Sequence, residues 1–257
     1  MAGRILSLLL IVGGPIALLV LWAARSSGLL TKKIPLSAPQ RQVLAKYALY
    51  YQRLSAARQR VFEDKVSLFV NEKTWVAAGI SITPEMKVMI SACAAQLLQG
   101  FPEIELLHFN KIVVYPESYR SQRSGRLHQG EVRPLAGMII ISWDDFVHGY
   151  AHGGDAHNVG LHEMAHALWF ENTIINGEDH FLPPAALARW KQLAAEEIER
   201  IQRGEVRYLR DYAGTNQAEF FAVAVEYFFE QPAVFKNTAP ELFACLSLLL
   251  KQGHDPA

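Results

Sequence analysis

Residues 162 to 166 read His-Glu-Met-Ala-His, a spacing with a specific chemical use. On a helix, positions i and i+4 share a face, so both imidazoles can reach one metal ion. Glu163 stands one residue on, where a carboxylate can take a proton from water at that ion and pass it to a leaving amine. Zinc held by neutral ligands lowers the pKa of its water to about 7, so the expected chemistry is metal-assisted hydrolysis. With nine histidines in the chain, the pattern arises by chance in roughly two chains in a hundred, and its surroundings must decide. Val159, Leu161, Met164, Ala165, Ala167, Leu168 and Phe170 make the segment apolar and strongly helical, as a buried metal-binding helix requires. A pair of surface histidines would have more polar neighbours.

Two histidines leave a catalytic zinc one protein ligand short. The extended motif, with a glycine three residues after the second histidine and a third histidine beyond it, is absent, because Trp169 and Asn172 occupy those places. The third ligand is therefore distant, as in zincins that take a glutamate from a later helix. Gln217 to Phe229 supplies Glu219 and Glu226, seven residues apart and so on one helical face, with only Phe-Phe-Ala-Val-Ala-Val between them. Carboxylates in so apolar a run are costly unless they bind something. Glu219 is the expected ligand. Glu226 is either a bracing or salt-bridge partner or a solvated side chain.

These side chains need elements to position them. Asn158 to Phe170 reads as the metal-binding helix, and Gln217 to Phe229 as a second helix closed by Pro232. Pro183 to about Gln202 is amphipathic, and Pro240 to Leu250 is an apolar last helix. Earlier in the chain, Gln40 to about Arg60 has helical spacing and Val61 to Val70 continues it. Thr83-Pro84-Glu85 is a helix start, with Thr83 as cap, and that helix runs to about Leu98. Lys111 to Tyr115 and Met138 to Trp143 read as strands. The second is expected to be an edge strand that pairs with an extended substrate. Between them Arg120, Arg123, Arg126 and Arg133 lie among Ser, Gly and Gln, as in a solvated loop or, more sharply, an anion site. The fold class expected is α+β, mostly helical with a small sheet.

Composition sets the outer limits. The 25 basic and 25 acidic side chains cancel, so no basic excess supports nucleic-acid binding. Cys93 and Cys245 are far apart in apolar contexts and are expected to be buried free thiols in a reducing compartment. Ile5 to Ala24 carries no charge over twenty residues, enough to cross a hydrocarbon core of about 30 Å. A cleaved signal peptide is the rival reading, but the stretch is long for one and lacks a small-x-small cleavage site before Arg25. Arg4 precedes the span, whereas Arg25, Lys32, Lys33 and Arg41 follow it, an asymmetry that keeps the main domain in the cytoplasm. The expected organisation is a transmembrane anchor and linker start over residues 1–30 and a zincin-like peptidase domain over residues 31–257.

Three blocks in order give a resemblance to a known family. They are Ile141-Ser142-Trp143-Asp144-Asp145, then His157-Asn158 leading into the pentapeptide, then Ala218-Glu219-Phe220-Phe221-Ala222-Val223 with Glu226-Tyr227-Phe228-Phe229. Together they resemble the Mlc titration factor A-type zinc peptidases, which are similar in fold to the catalytic domain of anthrax lethal factor. The resemblance implies zinc on His162, His166 and Glu219, Glu163 as catalytic base, and Tyr212 as the hydroxyl that stabilises the oxyanion. It also implies a peptide or protein substrate and, as the alternative function, sequestration of a sugar-responsive transcriptional repressor with weak hydrolysis. Two departures stand out. Trp169 occupies a position that is acidic in family members, which touches the surroundings of the zinc ligands, and the members are soluble whereas this chain is expected to carry an anchor.

Overall fold

Apolar helical stretches close around a small sheet in a computed structural model that describes residues 34–121, 125–151 and 153–253. The folded unit begins at Pro35; the expected anchor Ile5 to Ala24 and the boundary at residue 30 lie outside the described residues. Among those described, no helix is long and apolar enough to cross a membrane.

Ser37 opens the first helix, α1 (Ala38–Tyr47), through a capping box with Gln40. The continuous helix expected to Arg60 is interrupted: Ala48 leaves helical geometry at ψ 88°, a short α2 (Leu49–Gln52) follows, and Ser55 starts α3 (Ala56–Glu72). After β1 (Thr74–Ala77), Thr83 accepts from the Met86 amide and caps α4 (Pro84–Leu97), as its sequence predicts. Then come β2 (Lys111–Tyr115), the short pair β3 (Tyr119–Arg120) and β4 (Leu127–His128), β5 (Gly130–Arg133) and β6 (Met138–Ser142). The rest is helical: α5 (Trp143–Ala151), α6 (Val159–Glu171), α7 (Pro184–Gln202), α8 (Gln217–Glu230), α9 (Pro232–Thr238) and α10 (Pro240–Leu250). The architecture is α+β.

The four-stranded sheet has the order β1-β2-β6-β5. Its first three strands are parallel, with Val113 opposite Ile140, and β5 is antiparallel to β6, with Gly130 opposite Ile141. The expectation that Met138 to Trp143 forms an edge is therefore corrected. Ile139, Ile140 and Ile141 are all buried, the signature of a strand covered on both faces, and β5 holds the edge instead. The strand also stops one residue early. Asp145 accepts from the hydroxyls of Ser142 and Ser118 and from Gln129 Nε2, and this knot turns the chain from β6 into α5. The described residues of the arginine-rich stretch include strand pairs: Tyr119 pairs with His128 across β3 and β4, and Arg133 on β5 pairs with Glu131 at 2.9 Å.

The core sits between the sheet and the helices. In α8 every residue from Phe220 to Phe229 is buried, which fits a helix apolar on all sides. Trp190 of α7 packs on Phe220 and Phe221 at centroid distances of 5.5 and 5.8 Å. Helix α6 meets α4 and α5 at Gly160, where a Cβ would stand 2.6 Å from Cys93 Sγ and from the Phe146 ring. Only glycine permits that approach. Cys93 and Cys245 are buried and free.

Candidate metal centre

Two asparagine-capped helices build the centre. Asn158 accepts from the Leu161 amide at 2.9 Å and starts α6, and Asn216 accepts from the amides of Ala218 and Glu219 at 2.9 and 3.1 Å and starts α8. His162 and His166 fall on one face of α6, while Glu219 lies in the first turn of α8, where the helix dipole favours a carboxylate. Packing of α8 on α6 brings the three side chains together. His162 Nε2 and His166 Nε2 are 3.1 Å apart, and they lie 3.2 and 3.1 Å from Glu219 Oε2. An ion held tetrahedrally at about 2.0 to 2.1 Å keeps its donors about 3.3 to 3.4 Å apart, so this triangle is close to one face of such a coordination shell. The donor set fits a metal ion.

Glu226 faces the same cluster from one level deeper. Its Oε1 lies 2.6 Å from His162 Nδ1 and also accepts from Arg210, and its Oε2 accepts from the Asn158 amide at 2.7 Å. Only 1% of the residue is exposed, which excludes the solvated alternative for this side chain. Glu226 accepts a hydrogen bond from the Nδ1–H, which in the neutral ring fixes the tautomer whose Nε2 lone pair is directed at the donor triangle. His166 differs: its Nδ1 is buried without a hydrogen-bond partner. Trp169, one helical turn on, instead packs against Phe221 at 5.1 Å. The bracing that Glu226 gives His162 has no counterpart here among the described residues.

Glu163 is 5% exposed, and its Oε2 has no hydrogen-bond partner. Burial, with Glu219, Glu226 and Glu131 nearby and His162 opposing, pushes its carboxyl up to about 8. The edge strand passes directly over it: a Cβ on Gly130 would stand 2.5 Å from Glu163 Oε1. Burial also lowers the His166 imidazole against the pull of Glu219, whereas His162 is raised to about 10 as Glu226 and Glu219 outweigh the opposing burial. Tyr212, in the turn Asp211–Gly214, is 54% exposed, with its ring 6.2 Å from that of His162. Burial and the adjacent Glu219 hold its phenol proton on well above the usual range.

The sequence pattern described as Glucose-regulated metallo-peptidase M90 matches residues 21–251. The chain belongs to that family. Among similar proteins, Mlc titration factor A of Serratia proteamaculans is 28% identical over 83% of this chain and 89% of its own length. Mlc titration factor A of Edwardsiella ictaluri is 27% identical over 78% and 80%, and Uncharacterized protein slr2042 of Synechocystis sp. is 25% identical over 82% and 83%. A metallopeptidase family and a cluster of His162, His166 and Glu219 point the same way, to a metal ion on these helices. The expected metal ligands His162, His166 and Glu219 form the cluster, and Glu163 and Tyr212 lie beside it. Gly130 and Arg210 escaped the sequence reading. Neither has a local signal, since each matters only for what the fold lays against it.

Proposed function

We propose that the chain is a zinc-dependent peptidase that hydrolyses peptide bonds in a protein or peptide substrate. The observation that carries this reading is the donor triangle of His162, His166 and Glu219 with the buried, unpartnered carboxylate of Glu163 beside it. Zinc in that triangle would supply a Lewis acid and a water acidified to about pKa 7. Glu163, buried beside that triangle, would take the proton of the attacking water and deliver it to the leaving amine. The Tyr212 phenol, which stays protonated, donates to the carbonyl oxygen as its charge grows. Glu226 and Arg210 hold the His162 ring in register. The edge for an extended substrate is β5 rather than β6, since it ends the sheet and runs over Glu163.

The test combines metal analysis with a peptide-library cleavage assay. Glu163→Gln should retain about one zinc per chain and lose hydrolysis. Tyr212→Phe should retain zinc and lose roughly a hundredfold in kcat, as removal of an oxyanion donor does. Full cleavage by Glu163→Gln would overturn the mechanism.

A second reading, partner binding, draws support from the relatives named titration factors. In that reading the chain captures a transcriptional regulator, and Glu163→Gln would keep its full effect in a cell. The membrane anchor over Ile5 to Ala24, with the peptidase unit on the cytoplasmic side, belongs to the proposal and rests on the charge asymmetry of the sequence alone.

A further inference from the structure

The fold forms an open-mouthed cavity of about 420 Å³ whose lining includes none of His162, Glu163, His166 or Glu219. Its apolar walls come from Tyr50 of α2, Tyr150 of α5, Phe229 of α8, Phe243 of α10 and Leu161 of α6. The size lies within the range of sites for small organic ligands, which pair an apolar lining with a few placed polar groups. Three cationic side chains, Arg53, Arg58 and Lys236, also line it. All three are exposed, which places them at the mouth, and among the described residues none is in an ion pair.

The opposite charge lies further in than the exposed cations. Glu230 lines the cavity, is tied to Asn158 Nδ2 at 2.9 Å, and is pushed up to about 6 by burial. A half-buried carboxylate in the wall repels an anion that enters fully, whereas cations at the mouth attract one that stops there. An occupant with its charge at one end and an apolar body at the other satisfies both.

We propose that this cavity is a binding site for a small amphiphilic carboxylate, with its charged head at Arg53, Arg58 and Lys236 and its apolar body between Tyr50, Tyr150, Phe229 and Phe243. The site is separate from peptide hydrolysis. Its inner wall is nevertheless part of the metal-binding helix, because Asn158 caps α6 and Leu161 immediately precedes His162.

The probe is 3-phenylpropanoate, titrated calorimetrically into the full-length chain in lipid nanodiscs, with empty nanodiscs as the blank and 3-phenylpropanamide as the uncharged control. The acid should bind saturably at one equivalent, and the amide about tenfold more weakly or worse. Arg53→Glu with Arg58→Glu should weaken the acid by about tenfold and leave the amide unchanged. Two plugs test the location. At Gly153 an added Cβ meets only ordinary contacts of 3.8 Å with Leu49 and Tyr150, so Gly153→Leu should fill the space without forcing the backbone. Ala233→Trp should do the same from α9, whose Ala233 also lines the cavity. Both should abolish binding while the metal content stays at the wild-type level. Because carboxylates also ligate metals, the titration is repeated after chelation, and binding should persist. Binding that survives both plugs and disappears on chelation would assign the probe to the metal centre and overturn the proposal. Equal affinity for acid and amide, or no saturable binding, would overturn it as well.

Discussion

Removing the Glu219 carboxylate takes away one of three converging donor atoms, whereas removing Glu226 leaves all three and frees the ring that carries one of them. The two acids therefore predict different losses. Glu226→Ala should weaken metal binding by about ten- to a hundredfold, the usual cost of losing a carboxylate behind a ligating histidine. It also strands the Arg210 guanidinium, which donates to the same oxygen. Glu219→Ala should weaken binding further, because the site drops to two ligands. Competition against a chelator of known affinity measures both. A larger loss in Glu226→Ala would exchange the roles of the two carboxylates. The sequence separated these residues only in part: their spacing put them on one face, but nothing local said that Arg210, sixteen residues before Glu226, would complete the brace.

Strand β5 is only four residues long, and its Gly-Glu-Val-Arg carries a single large apolar side chain, too little pattern to announce a strand. Its position, pressed on Glu163, gives it an effect out of proportion to its length. Gly130→Ala should fold and keep its metal, because the nearest atoms to the new Cβ belong to the end of one side chain. That side chain is the proton carrier of the proposed mechanism, so kcat should fall by about tenfold or more, as misplacement of a catalytic group does, with little change in Tm. A normal kcat would remove Gly130 from the site. Helices α4, α6, α7 and α8 were legible from different signals: Thr83 and Pro84 start α4, Pro183-Pro184 and an amphipathic pattern mark α7, and α6 and α8 are long apolar runs. The β6–α5 junction was not. Trp143 follows three isoleucines and a serine and extends the strand pattern, while the Asp145 knot that ends it depends on Ser118 and Gln129, distant in sequence. A similar tether holds the loop before β2. Glu178 accepts from the amides of Glu105 and Leu107 at 2.6 and 2.9 Å. Burial raises its carboxyl from 4.5 to about 7, with those two amides opposing and Glu171 assisting. An acid raised in the folded state binds its proton more tightly there, so its contribution is full below pH 4.5 and is lost as pH rises through about 7. The Tm advantage of the wild type over Glu178→Gln should accordingly shrink across that window. A gap that stays constant with pH would make Glu178 a tether alone.

Across the whole chain, local and long-range information divide along the same line. The pentapeptide is contiguous and therefore readable, but its third donor arrives from 53 residues beyond His166. That distance is spanned by α7, which packs its Trp190 on the same α8 that delivers Glu219. For the proposed topology, residues 1–33 carry the decision. If Ile5 to Ala24 is an uncleaved anchor with the peptidase unit in the cytoplasm, a C-terminal alkaline phosphatase fusion should be inactive and a green fluorescent fusion bright. The opposite pair of results, or a mature chain that starts near Arg25, would place the unit outside the cytoplasm and remove cytoplasmic regulators from its partners.

The contact between Gly130 and Glu163 has a genetic consequence. Every amino acid other than glycine carries a Cβ, so every missense change at this codon meets the same carboxylate at the same short distance. Position 130 has no conservative neighbour in the code. In a saturation library selected for activity, variants there should be depleted as a block, irrespective of side-chain size or polarity. A library selected only for abundance should tolerate the smallest of them.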